Sequence, residues 1–377
     1  MCRVEKETQT EIMKSSDRDY QGRESAAVSA IKKAIPESLK ENVVASSKGM
    51  FCELFENSLF PSHYCASATD GVGTKLLIAS ALQKFDTIGQ DLVAMNANDL
   101  ATLGQVQPFL FMNYFAAQSG MHKHAGEIMK GVVNGLDYCE ASKIFQSPIR
   151  LNMGKGETAS VDELLGGIQK GMGFDIAGCM IGFIDKKKMP GPVKVDDKII
   201  ALPSSGPHSN GYTDIRLNLL KGEFEEREEF RRMYKGKFTL EDDFEGKSIG
   251  DWLLEPTKIY TKDMAKVSST FSVMGINNTG FGLKNFNRIH QPVEFSINAP
   301  LEPQPIFSLL QKESGFSDEE MYTRFNMGMG FFIISDSQDV QEILSVVKNA
   351  QIVGEVKKSH ETRTVLHKGK KILFQGY

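Results

Sequence analysis

Apolar and polar positions along the chain follow the two periods that strands and helices produce. Continuous or alternating apolar runs predict strands at 63–68, 108–116, 175–185 and Lys198–Pro203. Apolar positions three to four residues apart predict helices at 24–40 (ending near Pro36), Lys75–Leu82, 86–103 and Ala125–Cys139. Toward the C-terminus the same alternation predicts a strand at 331–335, a helix at 340–347 and a strand at 351–356.

The length of the chain predicts more than one domain. At 377 residues the chain is longer than a single compact core usually supports. The best boundary is 186–192, where a run of lysines meets proline and glycine. We therefore expect a flexible polar tail at 1–22, an N-terminal domain at 23–186 and a C-terminal domain at 187–377.

Composition narrows the class of protein. Hydrophobic residues at 41% and charged residues at 24% are typical of soluble globular proteins, and a net charge of −4 indicates neither nucleic-acid nor membrane binding. No apolar run reaches the roughly 20 residues of a membrane span, and the N-terminus has no signal-peptide core. Five cysteines without a Cys-x-x-Cys pair predict free thiols in a reducing cytoplasm: Cys2, Cys52, Cys65, Cys139 and Cys179.

The turn at 204–212, Ser-Ser-Gly-Pro-His-Ser-Asn-Gly-Tyr, is the most informative segment. A predicted strand leads into it, and a helical pattern with Gly222 as its expected cap leads out. Such a turn leaves backbone N–H groups near the positive end of a helix, where phosphate binds well. An ordinary connection between a strand and a helix is the alternative interpretation.

Two carboxylates stand at positions that suggest chemistry. Asp70 precedes a Gly-x-Gly turn (Gly71, Gly73), which can approach a phosphate closely, and Lys75 could balance the phosphate charge. A residue selected only for turn geometry is the simpler reading of Asp70. Asp99 continues an apolar stripe on the 86–103 helix, where a carboxylate needs either an ion-pair partner or a bound cation.

Glu157 is a third acidic candidate, because it follows a glycine in an irregular segment, although it alone suits an ordinary surface carboxylate. A few carboxylate ligands completed by substrate phosphates are what Mg²⁺ prefers. We therefore expect a Mg²⁺ site formed by Asp70, Asp99 and Glu157. The chain has no Walker-type phosphate loop and no kinase signature.

Eight segments in a fixed order resemble the phosphoribosylformylglycinamidine cyclo-ligases, also called aminoimidazole ribonucleotide synthetases. They are TDGVGTKL (69–76), DTIGQDLVAMNANDL (86–100), GETA (156–159), DIAG (175–178), SSGPHSNGY (204–212), LLEPTKIY (253–260), TGFGLKNFNRI (279–289) and MYTRFNMGMG (321–330). Eight ordered segments over residues 20–360 are far more specific than any single motif.

The resemblance implies a two-domain α/β (α+β) fold. Its N-terminal domain would bind ATP and form a homodimer through a β-barrel, and its C-terminal domain would be an α/β sandwich. It also implies ATP-dependent ring closure of formylglycinamidine ribonucleotide to aminoimidazole ribonucleotide in purine biosynthesis, with ATP as co-substrate and Mg²⁺. The expected partners are thus a small nucleotide substrate and a second copy of the chain.

The resemblance also assigns residues to roles. It implies that His208, Asp70 and Asp99 are catalytic and that Asp70, Asp99 and Glu157 bind the metal. The residues that it implies for ATP binding are Lys48, Gly49, Gly71, Gly73, Thr74, Lys75 and Asn98. The residues that it implies for substrate binding are Ser205, Gly206, Ser209, Asn210 and Asn326.

The chain departs from the family pattern at four positions: Asn113 stands for Asp, Lys155 for Gly, Asn277 for His and Phe281 for Gly, and the glycine loop at 46–51 is reduced. Two other readings therefore stay open. One is a sister enzyme of the same ATP-binding superfamily, similar to selenophosphate synthetase. The other is a non-catalytic homologue that binds nucleotide or forms a scaffold.

Overall fold

The computed structural model of the protein describes residues 20–376. Most of the predicted tail at 1–22, with Cys2, lies outside the described residues. Among the described residues, those up to Val43 form one compact unit and those from Val44 onward form a second. Within the described residues, no helix combines the length and the apolar character needed to cross a membrane.

The first unit contains a helix close to the one predicted. Helix α1 spans Tyr20–Ala34, and a short 3-10 helix follows at Glu37–Leu39. Pro36 between them has extended dihedrals, φ −68° and ψ 153°. Because proline also disfavours helical dihedrals in the residue before it, the helix ends near Pro36, as the sequence predicts.

A six-stranded sheet organises the first half of the second unit. Its strands run in the order β1-β2-β6-β3-β4, and β5 also pairs with β3. They span Glu53–Glu56 (β1), His63–Gly71 (β2), Gln107–Ala117 (β3), Asn152–Met153 (β4), Glu157–Ser160 (β5) and Phe174–Asp185 (β6). The predicted strand at 63–68 is thus longer than expected, so Asp70 lies inside the end of β2 rather than in the turn after it.

Helices cover one face of this sheet. They are Lys75–Leu82 (α2), Ile88–Ala101 (α3), Ala125–Cys139 (α4) and Ser142–Phe145 (α5). Helices α3 and α4 approach so closely that a Cβ on Gly89 would lie 2.1 Å from the Ile128 carbonyl oxygen. A Cβ on Gly131 would lie 2.1 Å from the Asp86 carbonyl oxygen. Only glycine fits at both positions, because backbone meets backbone there.

The second half of this unit is built on a seven-stranded sheet in the order β10-β12-β7-β13-β11-β14-β15. The strands span Lys198–Pro203 (β7), Met274–Asn277 (β10), Val293–Ile297 (β11), Met329–Ser335 (β12), Gln351–Lys358 (β13), Arg363–Lys368 (β14) and Lys370–Phe374 (β15), and a small hairpin is formed by Asp243–Phe244 (β8) and Lys247–Ser248 (β9). All seven residues of β12 are buried, as expected for a central strand.

Shorter helices surround the second sheet. They span Tyr212–Leu219 (α6), Glu228–Arg231 (α7), Ile249–Leu254 (α8), Thr261–Ser268 (α9), Pro305–Ser314 (α10), Asp318–Arg324 (α11) and Val340–Val346 (α12). The predicted α/β class is therefore confirmed in both halves. The exact domain limits stay a prediction, although a 3-10 turn at Lys186–Lys188 leaves β6 at the expected place.

One hydrophobic core runs through both halves of the second unit. The same cluster of buried side chains includes Ile88 and Met180 of the first half and Phe295 and Phe332 of the second. A smaller cluster around Tyr260 joins Ala101 of α3 to Phe331 of β12. The two sheets therefore share their apolar interior.

One expectation about the segment after α6 is wrong. Gly222 does not cap that helix, which ends at Leu219 with Leu220 in extended conformation; instead Gly222 adopts φ +74° against the ring of Tyr234. The charged run at 222–245 is mostly exposed or half-buried and contains the short helix α7. Glu225 is fully buried and forms a paired contact with Arg227 at 2.8 Å.

The contact between α3 and α4 predicts opposite effects for two glycine-to-alanine substitutions. Gly89→Ala should lower the free energy of unfolding by roughly 1–3 kcal/mol, because the new methyl group collides with backbone. Gly126→Ala, on α4 with open space around it, should raise that free energy by up to about 1 kcal/mol. Urea denaturation of both variants measures the difference. Equal effects would show that the helices are not held at this distance.

Candidate active site

Helix α3 is buried on nearly every side, and its polar side chains organise the candidate site. Twelve of its fourteen residues are buried. A polar group in such a helix must find a partner inside the protein, since leaving it unpaired costs about 1–3 kcal/mol. Each polar side chain of α3 that lies inward accordingly contacts a different piece of the site.

Asp91 of α3 forms a fully buried ion pair with Lys75, the first residue of α2. Their Nζ–Oδ1 distance is 2.9 Å, and neither side chain has any exposed surface. The same Oδ1 accepts hydrogen bonds from the Thr257 backbone N–H (2.7 Å) and hydroxyl (2.6 Å). Lys75 also donates to the Glu255 carbonyl at 2.7 Å. The ion pair therefore ties α2 and α3 to residues 255–257 of the second half.

This geometry changes the role available to Lys75. Its ammonium was predicted to balance a phosphate charge, but both of its contacts are inside the protein. Burial lowers the pKa of Lys75, and Asp91 opposes that shift. Any influence of Lys75 on a nucleotide is therefore indirect, through the position of the 70–75 turn.

Two asparagines of α3 hold neighbouring backbone. Asn98 donates to the Lys258 carbonyl and accepts from the Tyr260 N–H, both at 2.9 Å. Asn96 accepts from the Asp70 N–H at 3.1 Å. The predicted nucleotide residue Asn98 thus supports the 253–260 segment, and Asn96 fixes the end of β2.

Asp99 lies one residue further along α3, half-buried, at the end of the helix near β10. Its Oδ1 accepts a hydrogen bond from Asn277 at 2.8 Å, and within the described part of the chain no Lys or Arg pairs with it at ion-pair distance. Burial raises the pKa of Asp99 to about 7; Asn277 lowers it, Asp70 raises it and Arg288 lowers it. Asp99 is therefore a carboxylate short of positive charge.

Asp70 and Asp99 are close enough to influence each other, but Glu157 is not beside them. Asp70 pairs across to Gly178 of β6, and Gly178 pairs to Asn113 of β3. Glu157 pairs with Tyr114 on the far side of β3. At 4.7–4.9 Å per strand, Glu157 lies roughly 14 Å from Asp70. Its side chain is exposed and 3.5 Å from Lys155.

The described residues accordingly contain no cluster of three acidic, His or Cys side chains arranged for a metal. Two carboxylates remain, Asp70 and Asp99. Burial is the main cause of the raised pKa of Asp99, and the nearby Asp70 adds to it. A divalent cation with phosphate oxygens as its other ligands fits this donor set.

The turn at 204–212 faces the 253–260 segment and is held by side chains. The Ser205 hydroxyl donates to the Pro256 carbonyl at 2.6 Å, and the Ser209 hydroxyl lies 3.0 Å from that of Thr257. The Gly206 carbonyl accepts from Asn326 at 2.8 Å. The Thr279 hydroxyl donates to Asn210 at 3.1 Å. The predicted substrate residues therefore form one connected group.

The first-half turn reaches this group through Thr74. Its hydroxyl lies 3.3 Å from that of Thr213, one residue into α6. Gly71 donates its N–H to the Asp70 carboxylate at 2.7 Å, and Gly73 has φ +69° with open space around it. The structure thus brings the predicted nucleotide turn at 70–75 and the predicted substrate turn together.

His208 sits inside the turn as a neutral imidazole. It is buried, has φ +61°, and its Nε2 accepts the Ser205 N–H at 3.3 Å. Burial lowers the pKa of His208 to about 3, with Lys75 and Lys258 adding to the shift. At neutral pH His208 is therefore not an imidazolium, and its remaining proton is on Nδ1.

The loop with Lys48 and Gly49 packs on the second half of the unit. Lys48 is exposed, and Gly49 adopts φ +81° with a Cβ position 3.0 Å from the His290 ring. Arg288 donates to the Met50 carbonyl at 3.2 Å and lies over the Phe51 ring at 4.6 Å. Arg288 thereby holds this loop near Asp99, to which it contributes positive charge.

Sequence analysis missed Asp91 and Thr257, two buried polar residues that connect the halves of the site. A signal was present: the α3 sequence IGQDLVAMNANDLA contains no Lys or Arg and has no polar face. A helix without a solvated face must be buried, and its carboxylates and amides then need partners. A single apolar stripe through Asp99 does not describe this helix, and that interpretation leaves Asp91 without a role.

Comparison with known protein families assigns both halves. The AIR synthase related protein N-terminal domain matches residues 57–184, and the corresponding C-terminal domain matches residues 194–367. A phosphoribosylformylglycinamidine cyclo-ligase of Methanosarcina barkeri is 36% identical over 80% of this chain and 82% of its own. The cyclo-ligase of Pyrococcus furiosus is 35% identical over 76% of this chain and 77% of its own. That of Coxiella burnetii is 34% identical over 87% of this chain and 88% of its own.

Solved structures share the fold at low sequence identity. Thiamine monophosphate kinase of Aquifex aeolicus has a TM-score of 0.51 at 13% identity, covering 93% of this chain and 98% of that one. The hydrogenase maturation protein HypE in complex with ATP has a TM-score of 0.52 at 15% identity, covering 82% and 84%. The predicted two-domain fold is thus confirmed.

The surroundings of Asp99 predict how metal-free stability depends on pH. Between pH 3.8 and about 7 the folded protein keeps a proton on Asp99 that the unfolded chain has lost. Stability is therefore lost as pH rises through this window. In Asp99→Asn this loss is absent, so its melting temperature should rise relative to wild type from pH 4 to pH 7.

Thermal melts in chelator at several pH values measure this. Asp137→Asn, which removes one negative charge at an exposed position, is the control. If the wild type instead gained stability over Asp99→Asn as the pH rose, Asp99 would be a stabilising structural carboxylate.

Proposed function

The chain belongs to the phosphoribosylformylglycinamidine cyclo-ligase family, and we propose that it carries out the family reaction as an ATP-dependent ligase of purine biosynthesis. The substrates are formylglycinamidine ribonucleotide and ATP, and the products are aminoimidazole ribonucleotide, ADP and phosphate. The observation that carries this proposal is the match to cyclo-ligases over four-fifths of the chain, through both halves. A soluble cytoplasmic enzyme is in keeping with it.

The proposed reaction has two steps. The formyl amide oxygen attacks the γ-phosphorus of ATP, and ADP leaves. The amidine nitrogen then attacks the activated carbon, the C–O bond breaks with release of phosphate, and a nitrogen proton is lost. Such a reaction depends mainly on positioning the two substrates and neutralising phosphate charge.

We assign nucleotide binding to the first half of the site. The backbone of Gly71, Gly73 and Thr74 would accommodate the phosphates, and Lys48 and Gly49 would complete that side. Asn98, buried and bonded to the 258–260 backbone, would support the site from within. Support comes from the close approach that glycine at Gly73 allows and from the contact of Thr74 with Thr213. Mg²⁺, held by Asp70 and Asp99, would neutralise the phosphate charge that develops during transfer.

We assign ribonucleotide binding to the 204–212 turn, through Ser205, Gly206, Ser209 and Asn210. Asn326 would support the turn rather than contact the ligand. Its amide N–H donates to the Gly206 carbonyl, and its amide oxygen accepts from the Gly328 N–H. His208, neutral at working pH, positions the turn through Ser205 and keeps one N–H for a hydrogen bond. An imidazolium proton donor is not needed in this assignment.

We also propose a homodimer formed through the first sheet. The face of β6 opposite the helices carries half-buried Cys179, Ile181 and Phe183. Phe183 is flanked by Phe60 and Phe109, whose side chains are 54% and 37% exposed. An apolar sheet face of this kind is normally covered, and a second copy would cover it.

Activity is the direct test of the function. Purified protein with Mg²⁺, ATP and formylglycinamidine ribonucleotide should form a diazotisable aminoimidazole, with one ADP for each product. Absence of product from folded protein would contradict the cyclo-ligase assignment. ATP hydrolysis without ring closure would favour a sister activity of the superfamily.

The oligomeric state tests the proposed interface. Light scattering should give about twice the chain mass of 41.8 kDa at micromolar concentration. Ile181→Glu, which places a charge in the middle of the apolar face, should yield monomer or insoluble protein. Val133→Glu, at an exposed apolar position on α4, is the control and should stay dimeric. A monomeric wild type would refute the interface.

A further inference from the structure

The serine hydroxyls of the 204–212 turn each donate their proton in a hydrogen bond within the protein. Ser205 donates to the Pro256 carbonyl at 2.6 Å, and a carbonyl oxygen can only accept. Ser209 lies 3.0 Å from the Thr257 hydroxyl, a contact in which either oxygen could donate by geometry alone. The partners of Thr257 decide the direction.

Thr257 has one hydroxyl proton, which it donates in a hydrogen bond to Asp91. The Thr257 hydroxyl lies 2.6 Å from Asp91 Oδ1, an oxygen that already accepts from Lys75 and from the Thr257 N–H. Because that oxygen accepts, Thr257 donates, and its lone pairs are all that it can offer Ser209. Ser209 must therefore be the donor in its contact with Thr257.

We propose that Ser205 and Ser209 are hydrogen-bond acceptors toward the ligand, so that they recognise N–H or O–H groups of the ribonucleotide and not its phosphate. Asp91 and Thr257 are then positioning residues, because they fix the direction of the Ser209 hydroxyl. This inference rests on the proposed function for the identity of the substrate. It reverses the simplest reading of a serine-rich turn, in which hydroxyls donate to phosphate.

The chemistry of the substrate fits this polarity. A phosphate ester at neutral pH offers almost only acceptor oxygens, which cannot bond to a hydroxyl whose proton is used elsewhere. The amidine and amide nitrogens and the ribose hydroxyls supply donors. Any phosphate near the turn would then bind to backbone N–H groups, as anions do at turns of this type.

Two variants test the proposal by calorimetric binding. Ser209→Ala removes the acceptor and leaves the Asp91–Thr257 bonds in place. Thr257→Val keeps the shape of the side chain and its N–H bond to Asp91, but frees the Ser209 proton. Thr257→Ser, which retains the hydroxyl, should restore most of the affinity. Thr270→Val, at an exposed position, controls for the substitution itself.

The probes are formylglycinamidine ribonucleotide, ribose 5-phosphate and inorganic phosphate. Both Ser209→Ala and Thr257→Val should weaken ribonucleotide binding about five- to tenfold, the value of one neutral hydrogen bond. Inorganic phosphate should bind Ser209→Ala as it binds the wild type, and should bind Thr257→Val equally or more tightly. Weaker ribose 5-phosphate binding would locate the donor on the ribose; an unchanged value would locate it on the amidine part.

Three results would overturn the proposal. They are weaker phosphate binding by Ser209→Ala, equal weakening of all three probes by Thr257→Val, and unchanged ribonucleotide binding in both variants. If Thr257→Val fails to fold, Ser209→Ala alone still decides between donor and acceptor. A wild-type protein that binds the ribonucleotide but never closes the ring would contradict the proposed function alone.

Discussion

The buried carboxylate of Asp91 is the constraint on which the rest of the site depends. Removing one member of a buried ion pair costs about 3–5 kcal/mol, so Lys75 and Asp91 hold each other in place. Thr257 bonds to the same oxygen through two groups, which ties the second half of the unit to the first. One carboxylate oxygen thereby helps to hold the 70–75 turn in place relative to the 204–212 turn.

Helix α3 extends this constraint along its whole length. Asn96 sets the end of β2, Asn98 sets the 258–260 backbone, and Asp99 meets Asn277 of β10. Each bond connects the helix to a different strand or loop. The departure from the family pattern at Asn277 therefore lies beside the proposed metal site, because the amide of Asn277 bonds directly to Asp99.

Much of this architecture could be predicted from the sequence, because strands and helices with strong periodicity, such as Lys75–Leu82 and Lys198–Pro203, are determined locally. Contacts between distant segments could not. The partner of Lys75 is 16 residues away and that of Asp91 is 166 residues away. Glu157 was grouped with Asp70 and Asp99 from its motif alone, whereas strand order, which periodicity does not reveal, separates them.

The shared hydrophobic core has a consequence for how the protein unfolds. Since side chains of both sheets pack into one cluster, neither half has an interior of its own to protect once the other is lost. Unfolding of the unit from Val44 onward should then be a single cooperative transition, and proteolysis at 186–192 should not release a folded fragment. The 70–75 turn and the 204–212 turn would then be lost together on heating.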